Sequence, residues 1–212
     1  MMKTETRMIL TQLSTRYPAL ACVEADVLAA FELLKDCFLR GGKVYLCGNG
    51  GSSCDCEHIA GELLKSFKKC RPLDRELTEA LKAQEGGEGI LAGLDGGLPV
   101  VSLCGFSGFS TAYGNDKDPA FTFAQLVNVL GREGDVLLTL STSGNSKNCV
   151  YAVKVAKARG MRSVLLSGGN GGALKEICDV SVIVPEKETY KVQEYHLPVY
   201  HCLCAMLEEE FF

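Results

Sequence analysis

Tryptophan is absent, histidine occurs only three times, and no apolar run approaches the roughly 18 residues of a membrane span. The N-terminus, Met1-Met2-Lys3-Thr4-Glu5, lacks the apolar core of a signal peptide. Together these absences give the expectation of a cytoplasmic protein with no membrane partner. Neither sign of charge dominates. The 22 basic and 26 acidic side chains leave a formal net charge of −4, which argues against a broad nucleic-acid footprint. No C-x-x-C pair occurs, so the zinc-knuckle spacing is missing, and the two C-x-C pairs (Cys54/Cys56 and Cys202/Cys204) do not supply it. Eleven cysteines, an odd number scattered over the chain, argue against a disulfide framework. Cys47, Cys104, Cys149 and Cys178 lie in apolar runs and read as small buried hydrophobes. What is present is an ordinary globular composition, 47% apolar over 212 residues, suited to one domain spanning 1–212.

Periodicity organises that domain. Apolar residues at helical spacing (Leu10, Leu13, Tyr17, then Val27, Phe31, Leu34, Phe38) predict two N-terminal helices near 3–16 and 23–40, ended by Gly41-Gly42. Short apolar strands are expected at 43–47, 99–103, 135–140, 163–166 and 180–184, with helices near 54–67, 110–129, 147–159 and 189–210. Residues 68–97 break the pattern with a basic cluster (Lys68, Lys69, Arg71), a helical piece near 75–84 and repeated Gly pairs. They read as an inserted arm, and the cluster as a solvated charge run. Five strands with helical crossovers predict an α/β fold, a doubly wound parallel sheet of order 2-1-3-4-5 with the N-terminal helices outside it. The apolar stripes of those helices suggest association between copies of the chain.

Two strand-to-helix junctions carry the chemistry. After Val136–Leu140 come Ser141-Thr142-Ser143-Gly144-Asn145-Ser146, four hydroxyls within six residues at the carboxyl end of a strand. Such a loop offers O–H and N–H donors to one anion, with the positive end of a helix behind them. After the first strand comes Gly48-Asn49-Gly50-Gly51-Ser52-Ser53. On the helix that follows, His58 and Glu62 share a face at i and i+4. On the last helix Gln193 and His201, eight apart, also share a face, whereas His196 turns away. If the two faces meet, His58, Glu62, Gln193 and His201 surround one point suited to a divalent metal or to acid/base chemistry.

These motifs, in this order and over nearly the whole chain, resemble the sugar isomerase (SIS) family, and within it the phosphoheptose isomerase type. The resemblance implies a flavodoxin-like sheet, a homotetramer with sites at subunit interfaces, and interconversion of a ketose and an aldose phosphate, here sedoheptulose 7-phosphate and D-glycero-D-manno-heptose 7-phosphate. It implies that Ser52, Ser141, Thr142, Ser143 and Ser146 hold the phosphate, with Asn49 in the loop beside it and Asp116 of the Asn115-Asp116 pair lining the sugar site. Glu62 is then the base between C1 and C2, and His201 the acid/base on the oxygens. In metal-bearing members His58, Glu62, Gln193 and His201 are the zinc ligands, one ion per site.

Departures from the family pattern fall on the substrate rim. Leu64-Lys65-Ser66-Phe67 stands where an Arg is usual, Thr189-Tyr190-Lys191 where an acidic residue is usual, and the arm is long. A non-catalytic SIS module, binding a phosphosugar or a protein such as a replication initiator, is the competing reading, and retention of Glu62 and His201 argues against it. A nucleotide cofactor is not expected. Gly48-x-Gly50-x-x-Ser53 lacks the third Gly, and the second strand ends without the ribose-binding acid.

Overall fold

The computed structural model describes residues 2–212. Helix α1 (Thr4–Arg16), a 3₁₀ turn (Pro18–Val23) and α2 (Glu24–Leu39) precede β1 (Val44–Gly48) and α3 (Gly51–Leu64). The arm follows, with α4 (Arg75–Lys82) and α5 (Gly87–Leu91). Then come β2 (Val100–Ser102), α6 (Ser107–Asp116), α7 (Thr122–Leu130), β3 (Val136–Leu140) and α8 (Lys147–Ala158). The chain closes with β4 (Arg162–Ser167), α9 (Gly172–Lys175), β5 (Val180–Ile183) and α10 (Thr189–Phe211). The five strands are all parallel, in the order β2-β1-β3-β4-β5.

Strand alternation fixes the two layers. Val44, Leu46, Leu138, Leu140, Val164 and Leu166 face one core, against α1, α2, α3 and α10. Tyr45, Cys47, Leu137 and Leu165 face the other, against α7 and α8. Both faces are covered, so the central strands β1 and β3 are buried at every residue, as a parallel sheet between helical layers requires. Because α3 and α10 share one layer, the helix carrying His58 and Glu62 lies beside the helix carrying His201.

Several sequence expectations shift. The helix expected at 54–67 starts and ends three residues earlier, because Gly50 takes a positive φ of 55° and turns the chain directly into α3. The stretch 110–129 is two helices, interrupted by a 3₁₀ turn at Pro119–Phe121, where proline removes a backbone donor. The arm carries a second short helix, α5, that the glycine-rich sequence hides. The N-terminal helices are not merely external. Leu10, Leu13, Val27, Phe31, Leu34 and Phe38 are buried within the main core, so their stripes do not argue for association. Of the large apolar side chains left exposed among the described residues, only Met8 and Leu39 lie on these helices, and the others include Leu64, Leu77, Ile90, Leu94, Tyr190 and Leu197. Arg71 is not solvated but fully buried, in an ion pair with Glu208. All eleven cysteines are free; Cys47 and Cys149 are buried, while Cys104 and Cys178 are half-buried.

Candidate active site

The β1–α3 and β3–α8 junctions are neighbours, because β1 and β3 pair in register from Val44 against Val136 to Gly48 against Leu140. The crossover from β1 leads one way across the sheet to β2 and that from β3 the other way to β4, the switch point where open α/β sheets bind ligands. Neither Gly50 nor Ser146, the N-cap residues of α3 and α8, caps its helix through a side chain. Cys149 N–H is taken by Asn148 Oδ1 (3.0 Å), which leaves the Lys147 and Asn148 N–H groups at the start of α8 without an intrahelical partner. The two junctions are clasped by reciprocal amide bonds: Asn49 Nδ2 donates to Asn148 Oδ1 (2.9 Å), and Asn148 Nδ2 donates to Asn49 Oδ1 (2.8 Å).

The hydroxyl loop is held from below. Ser167 Oγ donates to the Ser141 carbonyl (2.6 Å), and Gly168 N–H to the Thr142 carbonyl (3.1 Å). Asn145 bonds the Ser143 carbonyl through Nδ2 (2.9 Å) and accepts from Ala173 N–H (3.0 Å), stitching the loop to the start of α9. Gly144 sits at φ 66° against the Gly171 carbonyl, where a Cβ would overlap backbone. Ser141 is buried and its hydroxyl donates to that of Ser146 (3.1 Å); Thr142 is half-buried and Ser143 exposed. Ser52 is buried in the first turn of α3. The result is a preset ring of hydroxyls and backbone N–H groups at the start of α8, the arrangement that suits a phosphate.

A second cluster lies toward the far end of α3. His58 Nε2 is 3.2 Å from Glu62 Oε1 and 3.3 Å from His201 Nε2. One ligand atom from each of the three residues falls within 4.8 Å of the others. Tyr200 and Asp55 support His58 from behind, the Tyr200 hydroxyl being 2.9 Å from Nδ1 and 3.3 Å from Asp55 Oδ1. A Tyr200 proton directed at the Asp55 carboxylate leaves the phenolic oxygen to accept the Nδ1 proton, which bares Nε2 toward Glu62 and His201. Three electron-rich atoms then converge, an arrangement that calls for a shared proton or a cation. Burial, then the neighbouring His58, lowers the pKa of His201 and keeps it neutral at pH 7. Lys65 Nζ lies 3.7 Å from Glu62 Oε2 on the exposed side. A cavity of about 220 Å³ opens beside His201, where Gln12, Arg16 and Lys68 supply polar walls.

Not every candidate joins these clusters. The Gln193 amide packs over Gly51, with Nε2 2.6 Å from where a Cβ would sit, seven residues before His58 on α3. No hydrogen bond among the described residues links Gln193 to His58, Glu62 or His201. Asp116 is exposed at the end of α6, where its carboxylate accepts from Asn115 Nδ2 (3.1 Å). His196, set aside on helical phase, is fully buried with neither ring nitrogen hydrogen-bonded, and burial drives its pKa down to about 4. Sequence reasoning missed Asn148, Ser167, Asp55 and Tyr200. Asp55 was legible in principle, one turn before His58, but Ser167 and Asn148 act through chain crossings that only the fold supplies.

The SIS domain family model matches residues 18–90 and 99–168. A phosphoheptose isomerase of Burkholderia pseudomallei (strain K96243) is 40% identical over 173 residues, 82% of this chain and 76% of that protein. One from Campylobacter jejuni (serotype O:6) is 37% identical over 189 residues, 89% of each. Among solved structures, phosphoheptose isomerase GmhA from Neisseria gonorrhoeae superposes with a TM-score of 0.72 at 31% identity, covering 97% of this chain and 94% of that one. The Francisella tularensis phosphoheptose isomerase superposes with a TM-score of 0.76 at 28% identity, covering 98% and 100%. With its parallel sheet, its hydroxyl loop and its family match across most of the chain, this protein belongs to the SIS domain family.

Proposed function

We propose that the protein is a phosphoheptose isomerase, an aldose–ketose isomerase that converts sedoheptulose 7-phosphate to D-glycero-D-manno-heptose 7-phosphate. The observation that carries the reading is the convergence of Glu62 and His201 around His58, on the same helix, α3, whose start adjoins the hydroxyl loop. Glu62 lies eleven residues beyond Gly51, about 16 Å along the helix axis at 1.5 Å per residue. The Glu62 side chain leans back toward the helix start, which shortens that separation for a sugar with its phosphate at one end and its reacting carbons at the other.

The phosphate is assigned to Ser141, Thr142, Ser143, Ser146 and the first N–H groups of α8, with Ser52 supporting the start of α3 and Asn49 clasping the loops. Hydrogen bonds to a charged group contribute about 1.5–3 kcal/mol each, so a few such bonds anchor the substrate firmly. Glu62 removes a proton from C1 of the ketose, forming an enediol, exchanges it with solvent, and delivers a proton to C2. His201, neutral before reaction, carries the O1 hydroxyl proton to O2, so that the C2 carbonyl becomes a hydroxyl and C1 becomes the aldehyde. Atoms and charge balance, and both groups end in their starting states. Asp116 is assigned to the sugar rim.

The donor set also fits zinc, because two imidazole nitrogens and one carboxylate match the His₂Glu type of catalytic site. His58, Glu62 and His201 would hold the ion, and Gln193 would join as fourth ligand by swinging off Gly51. Bound zinc supplies a Lewis acid for the sugar oxygens. We place the protein in the cytoplasm as a homotetramer. Exposed Leu64, Leu77, Ile90, Leu94 and Leu197, on and near the arm and on α10, supply apolar surface for subunit contact. The test is incubation with sedoheptulose 7-phosphate in D₂O. NMR should show the aldose with deuterium at C2; recovery of unlabelled ketose alone would reject the proposal.

A further inference from the structure

Arg71 is the one member of the basic cluster with no exposed side-chain surface. Each of its three guanidinium nitrogens donates one hydrogen bond. Nη2 donates to the backbone carbonyl of Glu62 (2.7 Å), Nη1 to that of Leu63 (2.7 Å), and Nε to Glu208 Oε1 on α10 (2.8 Å). The ring of Phe212 lies 5.2 Å from the guanidinium carbon. Carbonyls in the last turn of a helix have no intrahelical partner, and a cation there also meets the negative end of the helix dipole.

We propose that Arg71 is the positioning residue for Glu62, fixing the last turn of α3 against α10 so that the Glu62 carboxylate stays in proton-transfer register with His201. The proposal rests on the isomerase reading. Its geometric basis is a ladder between the two helices. One rung is Gln193 over Gly51, a second is Tyr200 and His201 against His58, and the third is Arg71 to Glu208. Glu62 lies between the second rung, which includes His201, and the third. His201 precedes Glu208 by seven residues, two helical turns on the same face of α10.

The alternative role, fastening the arm, is performed by other groups. Glu208 accepts from the N–H groups of Phe67 (2.9 Å) and Lys68 (2.8 Å). Gly96 N–H bonds the Arg71 carbonyl and Leu98 N–H the Leu63 carbonyl, each at 2.9 Å. The Arg71 side chain reaches only α3 and α10 with its hydrogen bonds. A carboxylate that must approach a carbon-bound proton is sensitive to such anchoring, since a 1 Å misplacement can lower a rate by about 100-fold.

The experiment compares kcat, KM and cooperative unfolding for wild type, Arg71→Lys and Arg71→Met/Glu208→Gln on sedoheptulose 7-phosphate, each also in the Glu62→Gln background. Both variants should keep KM within about threefold while kcat falls at least tenfold, Arg71→Lys less than the double variant. In the Glu62→Gln background the same changes should leave the residual rate unaltered, because there is no base left to position. Should the double variant fail to unfold cooperatively, Arg71→Lys carries the comparison. A folded variant with kcat within twofold of wild type would overturn the proposal. So would a loss that persists undiminished in the Glu62→Gln background. Absence of turnover by the wild type would instead refute the isomerase reading itself.

Discussion

Gly144→Ala puts the sharpest strain on the hydroxyl loop. Gly144 has φ 66°, and an alanine there costs about 1–2 kcal/mol from the left-handed conformation alone. The new Cβ would overlap the Gly171 carbonyl and stand 2.8 Å from the Gly172 nitrogen. Those are backbone atoms, and they cannot yield by a rotamer change. Gly171 is itself hemmed in by Ile183 and Lys175, and Gly172 by the Ser143 carbonyl and Asn145. The loop must therefore lift away from α9, breaking the Leu174 N–H bond to the Gly144 carbonyl (2.9 Å). Lifting it displaces the hydroxyls, and loss of one or two hydrogen bonds to a phosphate, at about 1.5–3 kcal/mol each, weakens binding by roughly 10-fold to 10⁴-fold. Gly134→Ala is the matched control, since Gly134 also has a positive φ (89°) but nothing lies within 4 Å of its added Cβ. Titration calorimetry with sedoheptulose 7-phosphate, alongside thermal unfolding, separates the two. Gly144→Ala should lose both affinity and stability, Gly134→Ala a little stability only. Unchanged affinity in a folded Gly144→Ala protein would refute the assignment of the loop as the phosphate site.

Tyr200→Phe removes the hydroxyl that orients His58, and outer-shell losses of this kind lower metal affinity by about 10–100-fold, which chelator competition with zinc would measure. The buried His196 should make the fold acid-sensitive. Its pKa near 4 lies below the unfolded value of about 6.5, so the unfolded chain takes up the proton first as pH falls. The stability it contributes is complete above about pH 6.5 and drains away down to about pH 4, by up to about 3 kcal/mol. Urea unfolding across that range should show a shallower fall in His196→Leu, which also removes two unpartnered nitrogens and should be at least as stable as wild type at pH 7.

Strand order could be read from the chain because short apolar strands alternate with helical crossovers and ligand-type loops follow the first and third strands. Glu62 and His201 could be paired from helical spacing once α3 and α10 were placed in one layer. Three features could not be read. Arg71 looks like any surface base beside Lys68 and Lys69, since nothing local reveals a carboxylate 137 residues away that will bury it. Ser167 and Asn148 serve the loop across strand crossings, and their sequence neighbours carry no trace of it. The burial of the N-terminal stripes depends on α10, the last element of the chain, folding back over α1. Gln193 has the right phase for the cluster, yet its amide rests on the small surface that Gly51 leaves open, a packing choice that periodicity does not encode.

The central claim is that Glu62 moves a carbon-bound proton. Deuterium exchange at C1 of sedoheptulose 7-phosphate in D₂O, followed by NMR with wild type and Glu62→Gln, tests that step apart from binding. Loss of a general base lowers rate by about 10²–10⁴-fold, so wild type should exchange C1 deuterium and form C2-labelled aldose. Glu62→Gln should do neither while still binding the phosphosugar with affinity close to wild type. Exchange by Glu62→Gln at a rate near that of the wild type would contradict the account.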